Sequence, residues 1–334
     1  MIYQLRITTN PNLEIMKSVT RFLVAVALIA ATVRLQANLT TPVQPGTSRP
    51  SRTGYVLKRI PSSAVHHQQA GMPRIRLWES TSGNWSGYAV PLEGSGVSDI
   101  FSDVQGTWTV PTVTGNKGST AYSSTWVGLD GYNNGTVEQI GTEQDWTGGR
   151  QQNYAWFEMY PSGGYEIGGF PVDPGDSISV QVQYVGQNNV QAGGRGRGVE
   201  KSVFTRGKLG GRNRPTNGRG NSVKESVFKL TIENTTKNVS YSVPTSYTTV
   251  TLAAQTSAEW IAEAPSSSRV LPLADFGTVS FSGCNATSTG SSGKSEAISF
   301  WPYDPLTMID PSGGQATPTP LLDDGTTFFV SWSQ

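Results

Sequence analysis

Helical periodicity is almost absent from this chain. In its place stand many short runs of alternating apolar and polar residues, separated by Gly, Asn or Pro. Alternation puts successive side chains on opposite faces of an extended backbone, so the pattern predicts an all-β sandwich or barrel. The run TSAEWIAEAP, residues 256–265, illustrates it. As a half-buried strand ending at Pro265, it puts Glu259, Ile261 and Glu263 on one face and Trp260 and Ala262 on the other. Two carboxylates on one side of such a strand mark either a wet face or a carboxyl group in use.

The 334 residues divide unevenly. Residues 1–37 read as a secretory signal whose start is Met16: Lys17 and Arg21 precede an apolar run from Phe22 to Ala31, and a cleavage point follows Ala37. The run is too short to be a persuasive membrane span. Residues 38–80 are poor in acid, rich in Pro, Ser and Arg, and read as a basic propeptide or disordered linker. The remainder, 81–334, reads as one domain interrupted by a Gly- and Arg-rich mobile loop at 193–225. VEKSVF at 199–204 nearly repeats as VKESVF at 223–228. An RNA-binding reading of the loop fits a secreted chain badly, so no nucleic-acid partner is expected. No membrane contact after processing is expected either, and the reading is of a monomer.

The formal net charge of +1 hides a segregation. Ten of the 25 Lys and Arg fall in residues 1–80 and nine in 193–225, each segment holding two Glu; six basic and 20 acidic residues remain in the core. A core so acidic loses its self-repulsion as its carboxylates protonate, and suits acid conditions. A basic leader could cover an acidic cleft and let go when the cleft protonates.

Absences narrow the chemistry. Both histidines, His66 and His67, lie in the leader. A mature chain without them has no Ser-His-Asp triad, no Cys-His pair and no His-ligated zinc. The single cysteine, Cys284, allows no internal disulfide and reads as a small buried or loop residue. No Asp-Thr-Gly or Asp-Ser-Gly triplet occurs. Catalysis is left to carboxyl, amide, hydroxyl or lysine groups. With only six basic residues in the core, carboxyl and amide chemistry is the expectation, and no metal or cofactor is expected.

Taken singly, the candidate residues are bland. Gln139 reads as a surface amide no better than Glu138 beside it, and Glu263 as a solvated strand residue. Glu158, among Trp156, Phe157, Met159 and Tyr160, is the carboxylate most open to half-burial. Asp130-Gly131 is a turn signal. Asn-x-Ser/Thr sites stand at Asn38, Asn84, Asn234, Asn238 and Asn285.

In series, the motifs say more. NWSGYAV (84–90), FSDVQGTWTVP (101–111), STWVGLDGYNNGTVEQIGTEQDW (124–146), YAWFEMYPSG (154–163) and AEWIAEAP occur in that order. The series resembles the glutamic peptidases, or eqolisins, a family of acid-acting secreted endopeptidases, over about 81–192 and 226–334. The resemblance implies a concanavalin-like β-sandwich of two antiparallel sheets, protein substrates, and a propeptide able to inhibit. It implies a catalytic pair, Gln139 and Glu263. By it Glu259 is the noncatalytic glutamate, and Trp85, Trp126, Asp130 and Glu158 line or brace the cleft. The chain departs from the pattern in places. Asp145-Trp146 comes two residues late, and Asn153-Tyr154 stand before Ala155-Trp156 where fungal members carry an acid. The family's several cysteines reduce to Cys284, and the basic insert is foreign. Two rival readings share the architecture: a glycoside hydrolase using Glu158 and Glu263, and a noncatalytic carbohydrate-binding module with no perturbed carboxylate.

Overall fold

The chain is organised by strand pairing alone. The computed structural model describes residues 54–60, 80–92, 99–191, 222–251, 253–267, 269–291, 293–311 and 313–334, all within one unit, Arg52–Gln334. The expected signal, most of the 38–80 segment with its two histidines, and residues 192–221 lie outside the described residues. In chain order the strands begin with β1 (Val56–Arg59), β2 (Ser80–Ser82), β3 (Trp85–Pro91), β4 (Phe101–Thr109), β5 (Ser124–Leu129) and β6 (Val137–Thr147). There follow β7 (Arg150–Tyr160), β8 (Gly164–Gly168), β9 (Ser177–Gln191), β10 (Ser222–Asn234), β11 (Val239–Ser242) and β12 (Thr249–Thr251). The last six are β13 (Ser257–Glu263), β14 (Thr278–Ser288), β15 (Glu296–Ala297), β16 (Asp304–Ile309), β17 (Gln315–Pro318) and β18 (Phe328–Ser333). Only two short 3-10 turns interrupt them among the described residues, at Thr245–Tyr247 and Ile298–Phe300. No helix among those residues is long and apolar enough to cross a membrane.

Two layers form. The first runs β1-β8-β7-β6-β5-β13-β3-β16. The second runs β17-β18-β14-β4-β9-β10, with β11 and β12 on β10. The β16–β17 pair joins them. Every strand pair is antiparallel except β2 with β16. Alternate residues from the two layers meet in one core: Val127, Ile140, Phe157 and Trp260 from the first, and Trp108, Val180, Leu230 and Phe281 from the second. Two indoles also bond across it. Trp260 Nε1 donates to Gln105 O at 2.8 Å, and Trp108 Nε1 donates to Thr142 Oγ1 at 3.0 Å.

The 256–265 stretch is a strand with the expected facing. Ala258, Trp260 and Ala262 enter the main core, while Ile261 joins a second apolar cluster with Trp85, Trp126 and Trp156 on the opposite face. The expected half-burial is corrected: every residue of β13 is buried, Glu259 and Glu263 included. Two boundaries also move. Residues 56–59, read as linker, form β1, and β10 begins at Ser222, inside the 193–225 insert, paired with Gln191.

Trp260 ties both layers through its ring and its N–H. Trp260→Ala is expected to lower unfolding free energy by about 3–5 kcal/mol in urea denaturation. Trp260→Phe should cost about 1–3 kcal/mol, chiefly the unmet Gln105 carbonyl.

Candidate active site

Register sorts the outer face of the first layer into rows. One row reads Ala89, Glu259, Gly128, Gln139, Glu158, Gly164 across β3, β13, β5, β6, β7 and β8. The next reads Gly87, Ile261, Trp126, Gly141, Trp156, Glu166, and the third Trp85, Glu263, Ser124, Glu143, Tyr154. These residues share a face because each row lies two positions from the last along every strand. Gln139 and Glu263 thus stand in the outer rows, with the Trp126 row between them.

Glu263 is fully buried and held from two sides. Asn84 Nδ2 donates to its Oε1 at 3.0 Å, and Trp126 Nε1 donates to its Oε2 at 2.6 Å. The Trp126 ring meets Trp85 edge-on, with centroids 4.9 Å apart at 74°. Burial pushes the Glu263 carboxyl well above the ordinary carboxylate range, while the N–H donors of Trp126, Trp85 and Asn84 pull it back. Gln139 is likewise buried, and its Nε2 donates to Glu158 Oε2 at 3.0 Å. Gly128 separates Gln139 from Glu259 in their row. A Cβ there would come within 3.0 Å of the Gln139 Cβ and 3.1 Å of the Trp126 ring, so a side chain would crowd both.

The six site residues expected from sequence therefore fall into two bonded sets and one outlier. Trp85 and Trp126 stand with Glu263, and Glu158 stands with Gln139. Asp130 follows β5, and its carboxylate is taken up by the turn into β13. It adopts φ 68° and accepts from the backbone N–H groups of Gln255 at 2.7 Å and Thr256 at 2.8 Å, and from Asn134 Nδ2 at 2.7 Å. It fixes the entry into β13, which carries Glu259 and Glu263, and its charge also reaches Glu138 and Glu259 directly.

Sequence reasoning passed over Asn84 and Glu143. Asn84 was legible only as a glycosylation signal, yet it is fully buried against Glu263. Asn234, another such signal, is also buried, donating to Asp176 Oδ2 at 2.8 Å. Neither amide is open to a glycan in the folded chain. Glu143 lies on the outer face two strands from Glu263. Burial raises it well above the ordinary range, Asp145 raises it further, Ser124 opposes, and Glu263 adds a smaller push. Cys284 is buried and its thiol is pushed up by burial, which makes it inert as a nucleophile. No group of three or more His, Cys, Asp or Glu among the described residues is placed to hold a metal ion.

Sequence and structure comparisons place the chain in a family. The peptidase A4 family matches residues 83–193 and 221–308. The chain belongs to that family, the glutamic peptidases or eqolisins, and is a peptide-bond hydrolase. Aspergillopepsin-2 of Aspergillus niger is 27% identical over 270 residues, covering 75% of this chain and 78% of that protein. Scytalidopepsin B of Scytalidium lignicola is 33% identical over 99 residues, covering 30% and 34%. Scytalido-glutamic peptidase, crystallised with a peptide-based transition-state analogue, superposes with a TM-score of 0.51 at 22% identity over 75% of this chain and 98% of its own; that likeness is one of fold, a β-sandwich.

The buried carboxyls set a direction with pH. Burial lifts Asp103 to about 6, against the Gln181 bond, and Asp145 to about 7. Burial, then the Asp130 charge, raises Glu138 well above the ordinary range, and burial does the same to Glu259. Raised carboxyls favour the neutral form in the fold. Their stabilisation is complete below the unfolded pKa of ~4 and is lost as pH climbs through about 6 and 7. The thermal midpoint is expected to fall between about pH 4 and pH 8. Glu138→Gln, which removes one such charge, should narrow that fall by about 3 °C or more in calorimetry.

Proposed function

We propose that the chain is a secreted endopeptidase that cleaves proteins in acid through Glu263 and Gln139 acting on one water. The observation that carries this reading is Glu263 itself: a buried carboxyl on the outer face, gripped at both oxygens by N–H donors. Glu263 takes a proton from water as the water oxygen bonds to the scissile carbonyl carbon. It then delivers that proton to the leaving nitrogen as the C–N bond breaks. A carboxamide has two N–H donors and no charge to titrate. Glu158 takes one bond from Gln139, which aims the amide; the amide in turn orients the water and donates to the developing oxyanion. The reacting carbonyl would lie over the Trp126 row, between the two groups. In acid a histidine base would be fully protonated, whereas a carboxyl near its own pKa still works.

The wider reading follows the same logic. The substrates are polypeptides, the class met by the transition-state analogue bound to scytalido-glutamic peptidase. The chain is made with a signal at 1–37 and a basic propeptide at 38–80 that inhibits, and acts as a monomer without cofactor. A sugar-cleaving pair of Glu158 and Glu263 is less well supported, since Glu158 is bonded to Gln139. A bare sugar-binding face would need no raised carboxyl such as Glu263.

Proteolysis of a denatured protein at ~pH 3–4, near the reference carboxyl values, tests the pair. Gln139→Ala and Glu263→Gln are each expected to lose about 10²-fold or more in kcat. Full activity in either variant, or cleavage confined to neutral pH, would remove this mechanism.

A further inference from the structure

β1 belongs to the segment that sequence assigns to the leader, yet it extends the first layer. Val56, Leu57, Lys58 and Arg59 pair antiparallel with Gly168, Ile167, Glu166 and Tyr165 of β8, and Ile60 N donates to Gly164 O at 3.0 Å. Without β1, β8 would present an unpaired edge, since its other neighbour is β7.

Alternation gives the strand two faces. Leu57 packs against the main core beside Ile167, and the Arg59 guanidinium lies 5.9 Å from the Tyr165 ring centre. Lys58 and Ile60 point the other way, onto the face of Gln139 and Glu263. Lys58 Nζ meets Glu166 Oε1 at 2.9 Å, extending the Trp126–Trp156 row. Ile60 extends the row of Gln139 and Glu158. It is 9% exposed and belongs to the same apolar cluster as Trp85, Trp126 and Trp156. Gly164 makes room for it. A Cβ at 164 would lie 3.2 Å from the Ile60 Cδ1 and 3.7 Å from the Glu158 Cβ, so Ile60 rests over a bare strand next to the residue that aims Gln139.

We propose that the free edge of β8 is a peptide-docking edge of this peptidase, and that β1 is its built-in occupant. The inference rests on the peptidase reading of the same face. Adding a strand to a sheet edge recognises any extended peptide through its backbone, and pockets for alternate side chains supply selectivity. β1 shows what this edge accepts: an aliphatic side chain over Gly164 and a basic one two residues earlier, against Glu166. An extended substrate of that pattern competes for the same backbone groups. β1, on the same polypeptide, competes at the high effective concentration of a tethered ligand and keeps the intact chain latent.

The parts of this contact differ in weight. The Lys58–Glu166 pair is solvent-exposed, with side chains 62% and 30% accessible, and contributes little. Burial of Ile60 and the backbone ladder hold the strand.

The test compares intact full-length chains, confirmed intact by mass spectrometry, in initial-rate cleavage of a denatured protein in acid. Ile60→Asp is expected to cleave roughly tenfold faster than wild type, and Lys58→Ala to change the rate less than about threefold. Amide exchange at Glu166 and Gly168, whose N–H groups face β1 in the ladder, should quicken in Ile60→Asp. The synthetic peptide GYVLKRI, residues 54–60, added to Ile60→Asp should restore latency, whereas a scrambled peptide should not. Equal initial rates for wild type and Ile60→Asp, or no inhibition by the peptide, would overturn the proposal. No cleavage by either chain would instead overturn the peptidase reading, and β8 amide exchange would still decide whether β1 holds the edge.

Discussion

Burying carboxyl groups without cations is the constraint on which this structure turns. Glu138, Glu143, Glu259 and Glu263 are all at most 1% exposed, and burial raises each of them. Among the described residues the ion pairs are Lys58 with Glu166 and Lys237 with Asp173 and Asp176, none of them touching these glutamates. An unpaired buried carboxylate is costly enough that the group takes up a proton instead. Neutral glutamates pack as amide-like groups, so the rows of the first layer are most stable where these groups keep their protons. A scarcity of core Lys and Arg, which in a neutral-pH protein would leave these groups uncompensated, is consistent with the proposed action in acid.

The same constraint explains which parts of the fold could be read from the chain. Alternation fixed the strands because the main core demands it: Ala258, Trp260 and Ala262 enter that core in the expected phase. What alternation could not convey was burial of the other face. Polar residues at every second position normally mean solvent, so the face of Glu259 and Glu263 was open to a wet reading and β13 read as half-buried. The aromatic residues interleaved with them, Trp85, Trp126 and Trp156, carried the missing information, since large rings on a polar face need something to cover. Asn84 was hidden by a different ambiguity. Its motif is a glycosylation signal on an exposed loop and a hydrogen-bond donor in a buried one, and only tertiary structure distinguishes these. β1 was hidden by composition: a basic stretch poor in apolar residues cannot build a core, but VLKRI needs only an existing sheet edge to become a strand.

Glu259 and Glu263 show how far local pattern goes. They share a strand, a face and complete burial, and burial raises both. They differ in what surrounds the charge. At Glu259, Ser257 opposes the effect of burial, the Asp130 charge raises the group again, and the Tyr132 backbone opposes more weakly. Glu263 has the Asn84 amide on one oxygen and the Trp126 indole on the other, and such donors favour the ionised form. A base must be able to lose its proton within the operating range, and an acid must be able to regain it. Burial alone would lock the proton on, and donors alone would lock it off. Both glutamates feel burial opposed by hydrogen bonding, but Glu263 has an N–H donor on each oxygen, at 3.0 and 2.6 Å, whereas Glu259 also feels the Asp130 charge. That balance comes from residues 84, 85 and 126, far from 263 in the chain, so no motif around the glutamate could have disclosed it.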